Sequence, residues 1–138
     1  MKVYLAAAWS RRAEIEEVAV RIRSLGVEVT SQWLTEEKAQ QTGAMEKFLR
    51  DRAYLDLNDV ARADALVRFT DSEALDKTGD SFSVNLLSGA RMVEFGYAKA
   101  LGKTLYVVGG KQNVFDRLGD VIHLKDVDEL CHVLSQED

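Results

Sequence analysis

The sequence predicts an α/β fold, a five-stranded parallel sheet with helices on both faces. Three observations carry this. Short apolar runs of strand length, at residues 3–8, 65–69 and 104–108, alternate along the chain with stretches whose apolar residues recur at helical spacing. The run Thr104-Leu105-Tyr106-Val107-Val108 is continuously apolar, as in a strand covered on both faces. The length of 138 residues, with 46% apolar and 30% charged side chains, suits one ordinary domain and excludes a disordered or collagen-like chain.

The elements follow in order. Residues 3–8 form a first strand, and Ser10 follows as the N-cap of a helix over 10–25, in which Ile15, Val18, Ala19, Ile22 and Leu25 share a face. Gly26 stands where a left-handed C-terminal cap belongs. Val27, Val29 and Ser31 alternate with Glu28, Thr30 and Gln32, which predicts a strand near the sheet edge, and the polar stretch 35–43 is a loop. Met45, Leu49, Ala53, Leu57 and Val60 give a long helix its stripe, ending before Asp64, and residues 65–69 are the third strand. From Thr70 to Leu87 polar residues run without period, so this loop is a candidate lid. Ser88-Gly89 opens a helix that Gly102 closes, and a fourth strand follows at 104–108. After Gly109-Gly110 come a short helix at 113–118, a strand at 121–124, and a terminal helix with Val127, Leu130, Val133 and Leu134 on one face. No proline or repeat marks a boundary, so residues 1–138 read as a single domain.

Composition narrows the function. Eighteen basic and 23 acidic residues leave a net charge of −5, with the basic residues scattered, which disfavours a nucleic-acid polymer but leaves room for a small anion. No apolar run approaches the ~18 residues of a spanning helix, and charged Ser10-Arg11-Arg12 follows the first apolar stretch where a signal peptide would have a cleavage site. The expectation is a cytoplasmic protein without membrane contact. Cys131 has no partner for an internal disulfide, and with only His123 and His132 beside it no zinc-ligand set exists, so no metal is expected. The first strand ends without G-x-G-x-x-G or G-x-x-x-x-G-K-[ST], which removes support for nicotinamide chemistry and ATP hydrolysis, and no cofactor is expected. Two histidines, both near the end of the chain, offer no Ser-His-Asp triad.

Two acids stand out. Glu94 falls on a helix face with Ala90, Tyr97, Ala98 and Leu101, and Asp56 interrupts the series Leu49, Ala53, Val60. A carboxylate at a core position needs hydrogen-bond donors or a function, so each is a candidate catalytic acid, and each has an equal structural reading, for example pairing with Arg62 or Arg91. Ser88-Gly89-Ala90-Arg91 gathers a hydroxyl, free N–H groups and a guanidinium at a helix start, which describes either a phosphate or carboxylate site or an ordinary capped helix with a solvated Arg91. Trp9 and Trp33 each follow a strand, where an indole either stacks on a planar ligand or fills the core. Tyr4 and Tyr106 read as core.

Read together, Tyr4-Leu5-Ala6-Ala7-Ala8-Trp9, Asp56-Leu57 ahead of Ala63-Asp64, Ser88-Gly89-Ala90-Arg91-Met92-Val93-Glu94-Phe95-Gly96-Tyr97-Ala98 and Gly102-Lys103 resemble the nucleoside 2-deoxyribosyltransferase family. Its superfamily includes the deoxynucleoside 5'-monophosphate N-glycosidases. The match runs in order from residue 4 to about residue 118. The resemblance implies a flavodoxin-like fold and cleavage of the bond between sugar C1' and base, with Glu94 as nucleophile, Asp56 as proton donor or positioning group at the leaving base, and Tyr4 orienting Glu94. Six residues before the nucleophile, where members acting on free nucleosides tend to carry an acid, stands Ser88. With Gly89 and Arg91 it suits a 5'-phosphate, to which Arg11 or Arg12 adds a second cation, so monophosphate hydrolysis gains over base exchange. Ala6 and Ala8 replace glycines frequent in relatives, and Ala8, Trp9 and Ser10 would border the substrate. Asn113 resembles a position that reaches a neighbouring subunit's site, which implies a homo-oligomer with shared sites. Strict base exchange and, from another class, a non-catalytic nucleotide-binding or sensor module are the alternatives.

Overall fold

A computed structural model describes residues 1–35, 45–70 and 89–136. Five strands, β1 (Lys2–Ala6), β2 (Glu28–Val29), β3 (Ala65–Phe69), β4 (Thr104–Val108) and β5 (Val121–Leu124), form one all-parallel sheet in the order β2-β1-β3-β4-β5. This is the flavodoxin-like arrangement, in which the chain reverses its direction of winding between β1 and β3 and leaves a crevice at their carboxyl ends. Right-handed crossovers then put α1 (Arg12–Ser24) on one face and α2 (Met45–Arg62) and α3 (Gly89–Ala100) on the other; α4 (Val127–Ser135) packs beside α1. Among the described residues no helix is long and apolar enough to cross a membrane.

The central strands form where expected because burial on both faces selects apolar side chains, with Arg68 of β3 the exception. All five residues of β3 are buried, and so are Leu105, Tyr106, Val107 and Val108 of β4. Gly26 (φ 84°) terminates α1 in the left-handed conformation anticipated for it, and Gly102 (φ 75°), expected to close α3, does so in the same conformation. β2 lies at the edge as expected but pairs over two residues instead of 27–32. Beyond Val29 the ladder continues through the Thr30 N–H, which donates to the Val3 carbonyl at 2.9 Å, and the Ser31 hydroxyl, which accepts from the Leu5 N–H at 2.7 Å. A side chain replaces a backbone carbonyl there, which ends the strand.

Several expectations need correction. Ser10 caps no helix: it lies in a 3₁₀ turn, Trp9–Arg11, closed by the Arg11 N–H on the Ala8 carbonyl at 2.9 Å, and α1 begins at Arg12 without a side-chain cap. The short helix at 113–118 is a 3₁₀ turn, Val114–Arg117, closed by a reciprocal capping box between Asn113 and Asp116. The faces of two helices are rotated from their apolar stripes. On α2, Leu49 is 53% exposed and Ala53 is exposed, Leu57 is half-buried, and of the predicted stripe Val60 is buried, beside the buried Asp59. On α3, Ala90 and Tyr97 are exposed, as is Leu101 just past its end, and the buried series is Arg91, Phe95 and the expected Ala98. Polar residues with good partners have taken the inward positions.

Two such partnerships organise the molecule. Asp59, fully buried, accepts from the Gln32 N–H (3.0 Å), the Gln32 side-chain amide (2.9 Å) and Arg62 (2.9 Å), pinning the turn after β2 to α2. Arg68 of β3 is buried against Asp116, which also accepts from the N–H groups of Gln112 (2.6 Å) and Asn113 (3.1 Å), so the loop after β4 is anchored from inside the sheet.

Candidate active site

Tyr4 lies on the face of β1 that looks towards α2 and α3, in register with Leu66 of β3. Its hydroxyl, with no solvent exposure, donates a hydrogen bond to Glu94 Oε2 on α3. Glu94 sits at the margin of the buried face of α3, three residues after Arg91, and is half-buried. Burial is the main influence on it and raises its pKa; the Tyr4 hydrogen bond lowers it, the charge of Asp56 raises it, and Arg52 and Arg91 lower it. The balance lifts Glu94 from 4.5 to about 7. Burial, followed by the charges of Glu94 and Asp56, pushes the Tyr4 phenol far above its ordinary range, so it remains a donor wherever the protein is folded.

Asp56 enters from α2, half-buried, with Arg52 Nε one helical turn earlier at 3.4 Å from its Oδ1. Its charge acts on both Tyr4 and Glu94, so the two acids separated by sequence share one site. The structure thus brings Tyr4, Asp56 and Glu94 together.

Around these groups lie the ends of β1 and β3. Ala8 is half-buried and Ser10 exposed, and the Trp9 ring, 43% exposed, has Arg12 at 4.6 Å and Arg52 at 5.1 Å from its centroid. Trp33, 6.2 Å from Trp9, is buried and donates from Nε1 to the Leu5 carbonyl at 2.8 Å, so of the two indoles it is the core aromatic. Arg11 donates to the Thr70 carbonyl at 3.0 Å and pairs with Glu14 at 2.7 Å. Arg91 is buried and donates to the Phe69 carbonyl at 2.9 Å, which overturns its reading as a solvated arginine. Two guanidinium groups are thereby fixed at the exit of β3. Beside them Gly109 (φ 111°) follows β4, where an added Cβ would meet Thr70 Oγ1 at 2.2 Å.

Gly89 is exposed as the first residue of α3, and Ser88 and the expected lid beyond Thr70 lie outside the described residues. The Asn113 side chain accepts from the Phe115 N–H at 2.9 Å and donates to Met92 Sδ at 3.3 Å. An apolar cavity of about 330 Å³, lined by Met92, Phe95, Gly96, Lys99, Phe115 and Leu118, contains neither acid. Sequence reasoning missed Arg52 and Asp59, although the i, i+4 spacing of Arg52 to Asp56 was there to be read.

Fold and site together define a flavodoxin-like α/β protein with two coupled acids close to the ends of its central strands. The structure is similar to that of Clostridium botulinum CMP N-glycosidase, BcmB, with a TM-score of 0.61 and 18% identity over 99% of this chain and 100% of that one. It is equally similar to the 2-deoxyribosyltransferase of the psychrotolerant bacterium Bacillus psychrosaccharolyticus, with a TM-score of 0.61 and 19% identity over 100% of this chain and 93% of the other. No protein-family model matches the chain, and no curated protein matches it in sequence. The likeness is one of fold, and one of the two neighbours is a 2-deoxyribosyltransferase, the family that the sequence resembles.

Proposed function

We propose that the protein cleaves the N-glycosidic bond of 2'-deoxynucleosides or their 5'-monophosphates through a covalent glycosyl-Glu94 intermediate. The observation that carries this reading is Glu94 itself: a half-buried carboxyl, held by the Tyr4 hydroxyl and coupled to a second acid.

In the first step a carboxylate oxygen of Glu94 bonds to C1' as the C1'–N bond breaks, and the bonding pair leaves with the base. Asp56 supplies a proton to the departing base or positions it. Tyr4 orients Glu94, and because its hydrogen bond lowers the pKa it opposes the effect of burial and favours the attacking form. In the second step water attacks C1', the ester to Glu94 breaks, and the free sugar or sugar phosphate departs; a second base in place of water gives exchange. No metal or organic cofactor enters either step.

The 5'-phosphate would be met at the start of α3 by Ser88 and Gly89, with Arg91 and Arg11 supplying charge. Both arginines are held at the end of β3, and open α/β sheets bind ligands beyond the carboxyl ends of their strands. Ala8, Trp9 and Ser10 would border the sugar and base. Asn113 would complete the site of a neighbouring copy in a homo-oligomer. The CMP N-glycosidase among the structural neighbours favours a monophosphate.

The test is incubation of the purified protein with each deoxynucleoside and each 5'-monophosphate, with and without a second free base, followed by chromatography. Free base without acceptor establishes hydrolysis, and new nucleoside only with acceptor establishes transfer. If no mixture changes, catalysis is refuted and the nucleotide-binding module replaces it.

A further inference from the structure

Arg52 has the surroundings of a working residue although neither its position nor its neighbours drew attention to it in the sequence. Its side chain is only 13% exposed. A cation so withdrawn from water needs partners that offset its desolvation, and the partners here converge on the proposed site. Nε stands 3.4 Å from Asp56 Oδ1. A second guanidinium nitrogen donates to the Trp33 carbonyl at 3.3 Å. The carbon of the group lies 5.1 Å from the centroid of the Trp9 ring. One planar group therefore joins α2, the turn after β2 and the turn after β1.

We propose that Arg52 is a positioning residue of the site, which holds the Asp56 carboxylate and the Trp9 ring in one fixed geometry and maintains a positive charge within reach of Glu94. The proposal rests on the glycosidic reading and deepens it: Asp56 and Trp9 are the groups that reading puts beside the leaving base. The guanidinium serves in two ways that chemistry can separate. Its planar fork sets geometry, and its charge favours the ionised form of Glu94. Among the described residues, the other ionisable groups facing Glu94 are Tyr4 from β1, Asp56 from α2 and Arg91 from α3 itself. Arg68 of β3 is engaged with Asp116, and β4 brings the fully buried Tyr106.

Arg52→Gln removes charge and fork, and Arg52→Lys keeps the charge alone. For Arg52→Gln the acidic limb of the kcat/KM profile moves to higher pH by about half a unit or more. Its kcat at pH 7 falls about tenfold. For Arg52→Lys the limb stays in place while kcat falls or KM rises several-fold through lost positioning. A readout independent of turnover accompanies these: the carboxyl of Glu94 is titrated by carbon NMR in labelled wild type and Arg52→Gln, with Glu94→Gln as the assignment control. A higher Glu94 midpoint in Arg52→Gln supports the proposal, and an unchanged midpoint overturns it whether or not the wild type releases base. A wild type inactive on every substrate refutes the glycosidic reading separately. Should Arg52→Gln fail to fold, Arg52→Lys with wild-type kcat and KM overturns the positioning role.

Discussion

Replacing Glu94 by glutamine should stabilise the protein above neutral pH. The folded state lifts the Glu94 pKa from 4.5 to about 7, chiefly by burial. Between those two values the folded chain holds a proton that the unfolded chain has released, so stability falls as pH rises, by about 1.4 kcal/mol per pH unit. Across the whole window the loss reaches about 3 kcal/mol, and outside it Glu94 contributes no slope. Glutamine carries no titrating proton, and its carbonyl still accepts the Tyr4 hydrogen bond, so the difference between the two proteins isolates the ionisation. The assay is urea unfolding of wild type and Glu94→Gln at intervals from pH 4.5 to 8.5, at matched m-values. The expected difference grows in favour of glutamine up to about pH 7 and then levels. A constant difference over that range would refute the claim that burial governs this carboxyl. The same variant should lose turnover entirely, since an amide cannot form the glycosyl ester.

Other consequences are local. Tyr4→Phe removes the hydrogen bond that lowers the Glu94 pKa, so the acidic limb of the rate profile should move above pH 7, as a pH–rate series on the variant would show. Asp59→Ala removes the buried acceptor shared by the Gln32 N–H, the Gln32 amide and Arg62, and because these donors are partly exposed and can turn to water, equilibrium unfolding should register a loss of about 1–2 kcal/mol. Gly109→Ala puts a Cβ at 2.2 Å from Thr70 Oγ1 in a backbone with φ 111°, so its midpoint of thermal unfolding should fall by an amount equivalent to about 2 kcal/mol.

Physical reasons decide how much of this was legible in the sequence. The central strands β1, β3 and β4 were, because burial on both faces leaves a nearly continuous apolar record, interrupted inside the strands by Arg68 of β3. The faces of α2 and α3 were not, because counting apolar residues assumes that polar ones stay outside. Leu49 and Ala53 matched the pattern and lie exposed, while Arg91 and Asp59 broke it and lie buried with partners. Glu94 was still found, since it lies at the margin of the face that α3 buries. Its contact with Tyr4 joins residues 90 positions apart, which no periodicity reports, and the pairing was anticipated only through the family resemblance. Arg68 and Asp116 carried no such signal.

The inward face of α2 explains why one helix serves two ends. Arg52, Asp56 and Asp59 occupy positions where leucines would each have contributed about 2 kcal/mol of burial. Asp59 offsets that loss structurally, since its three hydrogen bonds fix the turn after β2 and leave no solvent exposure. Arg52 and Asp56 do not close on each other in the same way: their side chains keep 13% and 23% exposure and a separation of 3.4 Å. A pair selected for stability alone would be fully enclosed and closely bonded, or replaced by apolar residues at no loss. Partial exposure beside Tyr4, Trp9 and Glu94 is what a pair needs if a substrate is to reach it. The turn between Asp56 and Asp59 thus separates the part of α2 that holds the fold from the part that borders the proposed site.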